Sequence, residues 1–179
     1  MPAKKTAKKA TTAAKKAQAK RQSSRSSPDP TNHPPELSPT MLLVLGMHRS
    51  GTSVTTRLLE CLDAVNSTSL MPQHSDNPKG FFEDYDIYRF HESKLLPSLK
   101  TKWHGVGPID WTQLSAPERS KLELEALEIL RSNYSLSNRL SVLKEPRIGV
   151  LLPFWLPLLK RAGYKVSIVC AVRDPLSVT

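Results

Sequence analysis

The run Gly46-Met47-His48-Arg49-Ser50-Gly51-Thr52-Ser53 gathers the residue types that hold an anion. Glycines let backbone amides turn inward, and a helix starting at the second glycine adds unpaired N–H groups and the positive end of its dipole. A phosphate or sulfate is the group such a loop would cradle, with Arg49 as its charge and Ser50, Gly51, Thr52 and Ser53 as its donors. The spacing satisfies GxxxxG. However, the nucleoside-triphosphate loop GxxxxGK[ST] carries lysine after the second glycine, and here that residue is Thr52. Neither that lysine nor an acidic magnesium-holding motif can be assigned, so hydrolysis of a nucleoside triphosphate is disfavoured. The plain alternative is a glycine turn joining a strand to a helix.

The elements that would position this loop follow from periodicity. Met41 to Leu45 is a buried strand, and Ser53 to Ala64 places Val54, Leu58, Leu59 and Leu62 at helical spacing. A polar loop runs to Lys79, and residues 84 to 96, with Ile87, Tyr88, Leu95 and Leu96, form a second helix. Ser115, Pro117 and Glu118 make a capping-box start for a third, whose apolar face is Leu122, Leu124, Leu127, Ile129 and Leu130. Arg139 to Leu143 is a second strand, and Ile148 to Ala162 is a helical segment interrupted by Pro153 and Pro157 that ends at Gly163. Lys165 to Val172 is a third strand, expected to be buried on both faces. The alternation predicts βαβ units: an α/β fold with a parallel sheet flanked by helices over residues 41–179. Lys144 and Arg173 then fall at strand ends, where open α/β sheets place ligand contacts. Salt bridges to Glu145 and Asp174 are the respective alternatives.

The string GMHRSGTS after an apolar strand resembles the 5′-phosphosulfate-binding loop of sulfotransferases, which use 3′-phosphoadenosine 5′-phosphosulfate. Three further segments are similar, in order and spacing, to bacterial sulfotransferase-like proteins: DNPKGFFED (Asp76 to Asp84), LKEPRIGVLLPFW (Leu143 to Trp155) and VRDPLSV (Val172 to Val178). The resemblance covers residues 42–179 and implies a P-loop-type fold that transfers a sulfuryl group to a hydroxyl or amine on a small molecule or glycan. It implies that Arg49, Ser50, Gly51, Thr52 and Ser53 bind the 5′-phosphosulfate, that Lys144 stabilises the group in transfer, and that Arg173 binds the 3′-phosphate. Arg49 also counts as catalytic, because cations on the sulfuryl oxygens act by positioning and electrostatics. No metal is called for.

An acceptor hydroxyl must lose a proton as it attacks, and the candidate bases are Glu83 and His74, ahead of His91 and His48. Glu83 follows Phe81-Phe82, a setting that desolvates a carboxylate and raises its basicity. A helix N-terminal charge is its other reading. Arg147 would orient the donor or cap its loop, and Arg57, one turn into the first helix, reads as a surface ion-pair residue. The resemblance further implies a serine partner for Arg173 that would fall beyond Thr179, along with later strands. The expectation is therefore a partial domain that binds nucleotide weakly and does not turn over.

Of the 179 residues, 26 are Lys or Arg and 16 are Asp or Glu, a balance of +10. The excess sits in residues 1–27, which hold nine of the basic side chains (Lys4, Lys5, Lys8, Lys9, Lys15, Lys16, Lys20, Arg21 and Arg25) and no acid. The rest of the chain is near neutrality, which argues against a basic nucleic-acid-binding fold. Residues 1–27 read as a disordered Lys/Ala-rich tail, either a spacer or a non-specific binder of anionic polymers, and residues 28–40 as a proline-rich linker. No segment approaches the roughly 18 apolar residues of a membrane helix. Cys61 and Cys170 lie in apolar segments, which suits buried thiols in a reducing, cytoplasmic compartment. Two rivals remain: a nucleotide kinase with a variant loop, and a nucleic-acid-associated protein acting through its tail.

Overall fold

A computed structural model describes residues 38–75, 77–105, 107–174 and 176. The basic tail and its expected anion binding lie outside the described residues, as do the linker up to residue 37 and Asp76, Pro175, Ser177 and Val178 of the quoted motifs. In chain order the elements are β1 (Thr40–Leu45), α1 (Thr52–Glu60), α2 (Tyr85–Phe90) and a π-helical turn (His91–Leu95) that runs into α3 (Leu96–Ser98). A 3-10 turn (Trp111–Gln113), α4 (Ala116–Asn133), β2 (Leu140–Lys144), α5 (Ile148–Arg161) and β3 (Lys165–Cys170) follow. The three strands form a parallel sheet of order β2-β1-β3, with Leu43 opposite Leu143 and Leu45 opposite Cys170. The chain is thus an α/β protein with helices flanking a parallel sheet. Among the described residues no helix is long and apolar enough to cross a membrane.

Strand order decides where the glycine loop lies. Because β1 is central, its carboxyl end opens between those of β2 and β3, and the Ala171 N–H donates to the Leu45 carbonyl at 2.8 Å to carry the β3 pairing up to the loop. Alternation along β1 sends Met41, Leu43 and Leu45 to one face and Leu42 and Val44 to the other. The first face packs on α2, α4 and α5 through Ile87, Phe90, Leu130, Leu151, Phe154 and Trp155. The second holds a small cluster, Val44, Ala64 and Val142, with Leu42, Leu59 and Leu140 against it.

That asymmetry corrects several expectations. The first helix ends at Glu60, before the expected Ala64; Val54 and Leu58 within it and Leu62 in the turn after it are 66%, 61% and 69% exposed, and the side chains that α1 buries are Thr52 and Thr56. The helix was read from its apolar spacing, yet it docks by its hydroxyl face because its start must meet the sheet at the loop. The third strand is not buried on both faces: Ile168 within β3 and Val172 beyond its end are exposed, and among the described residues β3 pairs with β1 alone. Both cysteines are exposed as well, so the buried-thiol reading fails for Cys61, which sits in the turn after α1, and for Cys170 at the end of β3.

Helix details differ in physically legible ways. Ser115 occupies the N-cap position of α4, but its side chain makes no capping bond. Leu124 is exposed, while Leu122, Ala126 and Leu130 form the buried stripe. The prolines do not interrupt α5, which runs through Pro153 and Pro157. Pro157 lacks the N–H that would bond the Pro153 carbonyl, and Arg119 Nη2 of α4 donates to that oxygen instead, at 3.3 Å. In the second helix, Pro97 offers no donor to the Ser93 carbonyl, and the preceding turn widens so that the Leu96 N–H bonds the His91 carbonyl.

Candidate functional site

Gly46 and Gly51 give the loop its shape. A Cβ on Gly46, whose φ is 154°, would lie 2.6 Å from the Ala171 carbonyl oxygen and 2.7 Å from Ser50 Oγ, so the position admits only glycine. Gly51, at φ 98°, is the N-cap of α1 and offers no side chain to the first turn, whose N–H groups have no acceptor within the helix. Arg49 takes a left-handed φ of 64°, uncommon for a residue with a side chain, and that side chain is exposed. The Arg49 carbonyl accepts from Arg173 Nη1 at 3.3 Å, tying the end of β3 to the loop.

These residues open into a cleft of about 430 Å³ lined by His48, Arg49, Gly51, Thr52, Ser53 and Val54 from the loop and α1, Asn77, Phe81 and Glu83 from the following segment, and Lys144, Pro146 and Arg173 from the strand ends. Of the loop residues expected to bind an anion, Ser50 alone is not on this cleft. Its hydroxyl donates to the Met47 carbonyl at 2.7 Å and faces a smaller, mostly apolar cavity with Cys170 and Val172. Arg173 makes no ion pair with Asp174; the Asp174 carboxylate instead accepts from the Leu176 N–H at 2.9 Å.

Lys144 does not pair with Glu145. Its ammonium donates to Glu83 Oε1 at 2.6 Å, to the Phe81 carbonyl at 2.8 Å and to Ser53 Oγ at 3.4 Å. The two charged side chains are 4% and 7% exposed, a nearly buried pair at the wall of the cleft. The triphosphate loop would carry its own lysine after the second glycine; here β2 brings one to the loop from 91 residues away. Phe82, at φ 57°, is strained for a bulky residue. That kink lets both the Phe81 carbonyl and the Glu83 carboxylate reach Lys144.

The segment carrying Glu83 is fastened on both sides. The Met71 N–H donates to the Glu83 carbonyl and the Tyr85 N–H to the Ser69 carbonyl, both at 2.8 Å. Glu83 is not the helix cap; Asp84 is, accepting from the Ile87 N–H at 2.8 Å. Asp84 is fully buried, with Ser67 Oγ at 2.7 Å and Asn133 Nδ2 at 3.0 Å. Burial pushes its carboxyl above the ordinary value, and the bonds from Ile87, Ser67 and Asn133 offset only part of that.

The histidines divide sharply. His48 lines the cleft, 5.5 Å ring to ring from Trp103. His74 is exposed in the polar loop and does not line it. His91 is fully buried between Glu145 and Trp155 and does not line the cleft. Arg147 neither lines the cleft nor caps the loop; it pairs with Glu92 at 2.7 Å and with Glu145. Arg57 forms the expected surface pair, with Glu60 at 2.9 Å.

Sequence reasoning assigned no role to Asn77, the Phe81 carbonyl or Pro146. Asn77 lay in view within DNPKGFFED, and its amide now closes that turn on the Gly80 carbonyl at 2.8 Å. A backbone carbonyl leaves no mark in a sequence. No family model, curated protein or solved structure matches this chain.

Proposed function

We propose that the cleft binds the phosphosulfate end of 3′-phosphoadenosine 5′-phosphosulfate in a P-loop-type cradle and that the protein transfers the sulfuryl group to a hydroxyl or amine acceptor. The observation that carries this reading is the convergence of Arg49, Lys144 and Arg173, from three separate segments, on a loop whose helix start is uncapped. Cations and oriented amides at one point favour a compact anion through charge-assisted hydrogen bonds. Arg49 and the donors of Gly51, Thr52 and Ser53 hold the 5′-phosphosulfate, and Arg173 takes the 3′-phosphate.

In this mechanism Lys144 exchanges Glu83 for the oxygens of the sulfuryl group, where it offsets the charge that builds on the bridging oxygen. Glu83, released from the ammonium, accepts the proton of the acceptor hydroxyl. The acceptor oxygen forms its bond to sulfur as the bond from sulfur to the 5′-phosphate oxygen breaks, leaving 3′-phosphoadenosine 5′-phosphate. The 2.6 Å contact between Lys144 and Glu83 supports this reading, because a base and an electrostatic stabiliser must stand side by side for the two roles to be coupled.

Calorimetric titration of the 179-residue chain with 3′-phosphoadenosine 5′-phosphate, against ATP with magnesium, tests the reading. Binding of the former that weakens roughly tenfold or more in Arg49→Ala, with an unchanged fold, is the expected result. Preference for ATP with magnesium would move the protein to the kinase class. Affinity unchanged in Arg49→Ala would remove the loop from the site.

A further inference from the structure

The carboxyl end of β2 is anchored from the side opposite the cleft. Consecutive side chains at a strand end leave on opposite faces, so Lys144 enters the cleft while Glu145 turns toward α2 and α5. There the Trp155 indole N–H, which can only donate, gives its hydrogen bond to His91 Nε2 at 2.7 Å. That nitrogen carries no proton, so the ring holds its proton on Nδ1 and donates it to Glu145 Oε2 at 2.6 Å. Glu145 also accepts from the Arg147 N–H at 3.1 Å and from the Arg147 guanidinium. The same guanidinium bonds Glu92 Oε1 at 2.7 Å and lies 4.8 Å from the Tyr88 ring centre. His91 and Glu92 are adjacent, and both reach the cluster from the π-helical turn that Pro97 imposes.

An apolar side chain would fill the place of Glu145 without the cost of desolvating charge. What the charged cluster adds is direction. Bonds from the His91 ring, the Arg147 amide and the Arg147 guanidinium leave the carboxylate one orientation, and the chain can move neither at Lys144 nor at the start of α5 without breaking one of them.

We propose that Glu145 is a positioning residue for Lys144: clamped by His91 and Arg147, it fixes the turn after β2 and so holds the Lys144 ammonium against Ser53 and Phe81 at the loop. Its meaning for sulfuryl transfer rests on the donor-site reading, but the clamp can be measured without it. Lys144 is almost buried, so its acetylation by a succinimidyl ester, read by peptide mass spectrometry against exposed Lys160, reports how tightly the amine is held.

In the full 179-residue chain, Glu145→Gln keeps the volume but presents an amide N–H₂ to groups that are all donors. Acetylation of Lys144 is expected to rise about fivefold, the equivalent of one hydrogen bond lost. Leu130→Ala, a cavity in the same core away from the cluster, is the control for lost stability, and its Lys144 rate is expected to stay at the wild-type value. His91→Gln, which removes the ring that bridges Glu145 and Trp155, is expected to raise the rate as well and decides the matter should Glu145→Gln not fold. Unchanged acetylation in the folded variants, or an equal rise in Leu130→Ala, would overturn the positioning role. Repeating the labelling with 3′-phosphoadenosine 5′-phosphate separates the two ideas. A clamp effect without protection by the nucleotide would overturn the donor site and leave the clamp, while protection without a clamp effect would do the reverse.

Discussion

Lys144 and Glu145 are neighbours in sequence, and each is buried in an ion pair, yet the two pairs have opposite settings. The Lys144–Glu83 pair forms one wall of an open cleft, so either partner, left alone, can be met by water or by a ligand anion. The Glu145–His91 pair is sealed, both side chains at zero exposure and Trp155 closing the far side, while Arg147 and Glu92 reach toward the surface. The lesson is that burial alone does not separate a working charge from a structural one. What separates them is whether the pair faces space that another molecule can enter.

The comparison breaks most visibly when one partner is removed from each pair. Glu145→Ala leaves the fully buried His91 ring without its hydrogen-bond acceptor and Arg147 with Glu92 alone, and is expected to cost about 3–5 kcal/mol of stability, measured by urea unfolding. Lys144→Ala exposes Glu83 to a cleft where water can replace the ammonium, and about 1–2 kcal/mol is expected by the same measurement. Equal losses would erase the distinction drawn between the pairs.

A smaller effect sharpens it. Trp155→Phe removes the indole donor to His91 while keeping an aromatic ring, and about 1–2 kcal/mol is expected, with no change in nucleotide affinity by calorimetry. Arg49→Ala is its mirror image, with nucleotide affinity down and unfolding within about 0.5 kcal/mol of wild type, as for an exposed side chain without a partner.

The smallest expected effect lies in pH dependence. Burial pushes the Glu145 carboxyl up, but the hydrogen bond from His91 and the charge and hydrogen bond of Arg147 outweigh it, and the net displacement is below the ordinary glutamate value of 4.5. A carboxyl held lower in the folded protein than in the unfolded chain stabilises the fold above its unfolded value, and that contribution is lost as the pH falls through the folded one. Asp84 runs the other way: its carboxyl is raised, so its contribution is greatest at low pH and is lost as the pH rises past the ordinary aspartate value of 3.8. Below pH 4.5, Glu145→Gln should therefore lose stability less steeply than the wild type, by urea midpoints across acid buffers. An unchanged slope would mean that the cluster does not favour the ionised carboxylate.

Much of this was legible in the residues. The strand before Gly46, the helix after it and the two later strands follow from apolar runs and their periods, because local spacing sets which backbone geometry puts those side chains on one face. The strand, glycine loop and helix order at Gly46 to Ser53 was legible too, since glycines at that spacing mark a tight turn from a strand into a helix. The end of β2 at Lys144 was legible from where the apolar run stops, whereas β3 ends at Cys170, short of the expected Val172, and leaves Arg173 three residues beyond it.

Tertiary structure decided the rest, because partner choice depends on distances that span the chain. Adjacent charges suggested Lys144 with Glu145, but strand alternation sends them to opposite faces, and each finds a partner more than 50 residues away. The same cause misplaced the apolar residues of α1 and β3: periodicity tells which side chains share a face, whereas the packing of the other elements decides whether that face is covered. Local residue order determined the elements and the glycine loop; the order of strands in the sheet, and the side of β2 from which each charge leaves, determined that Lys144 lines the cleft while Glu145 joins the buried cluster with His91.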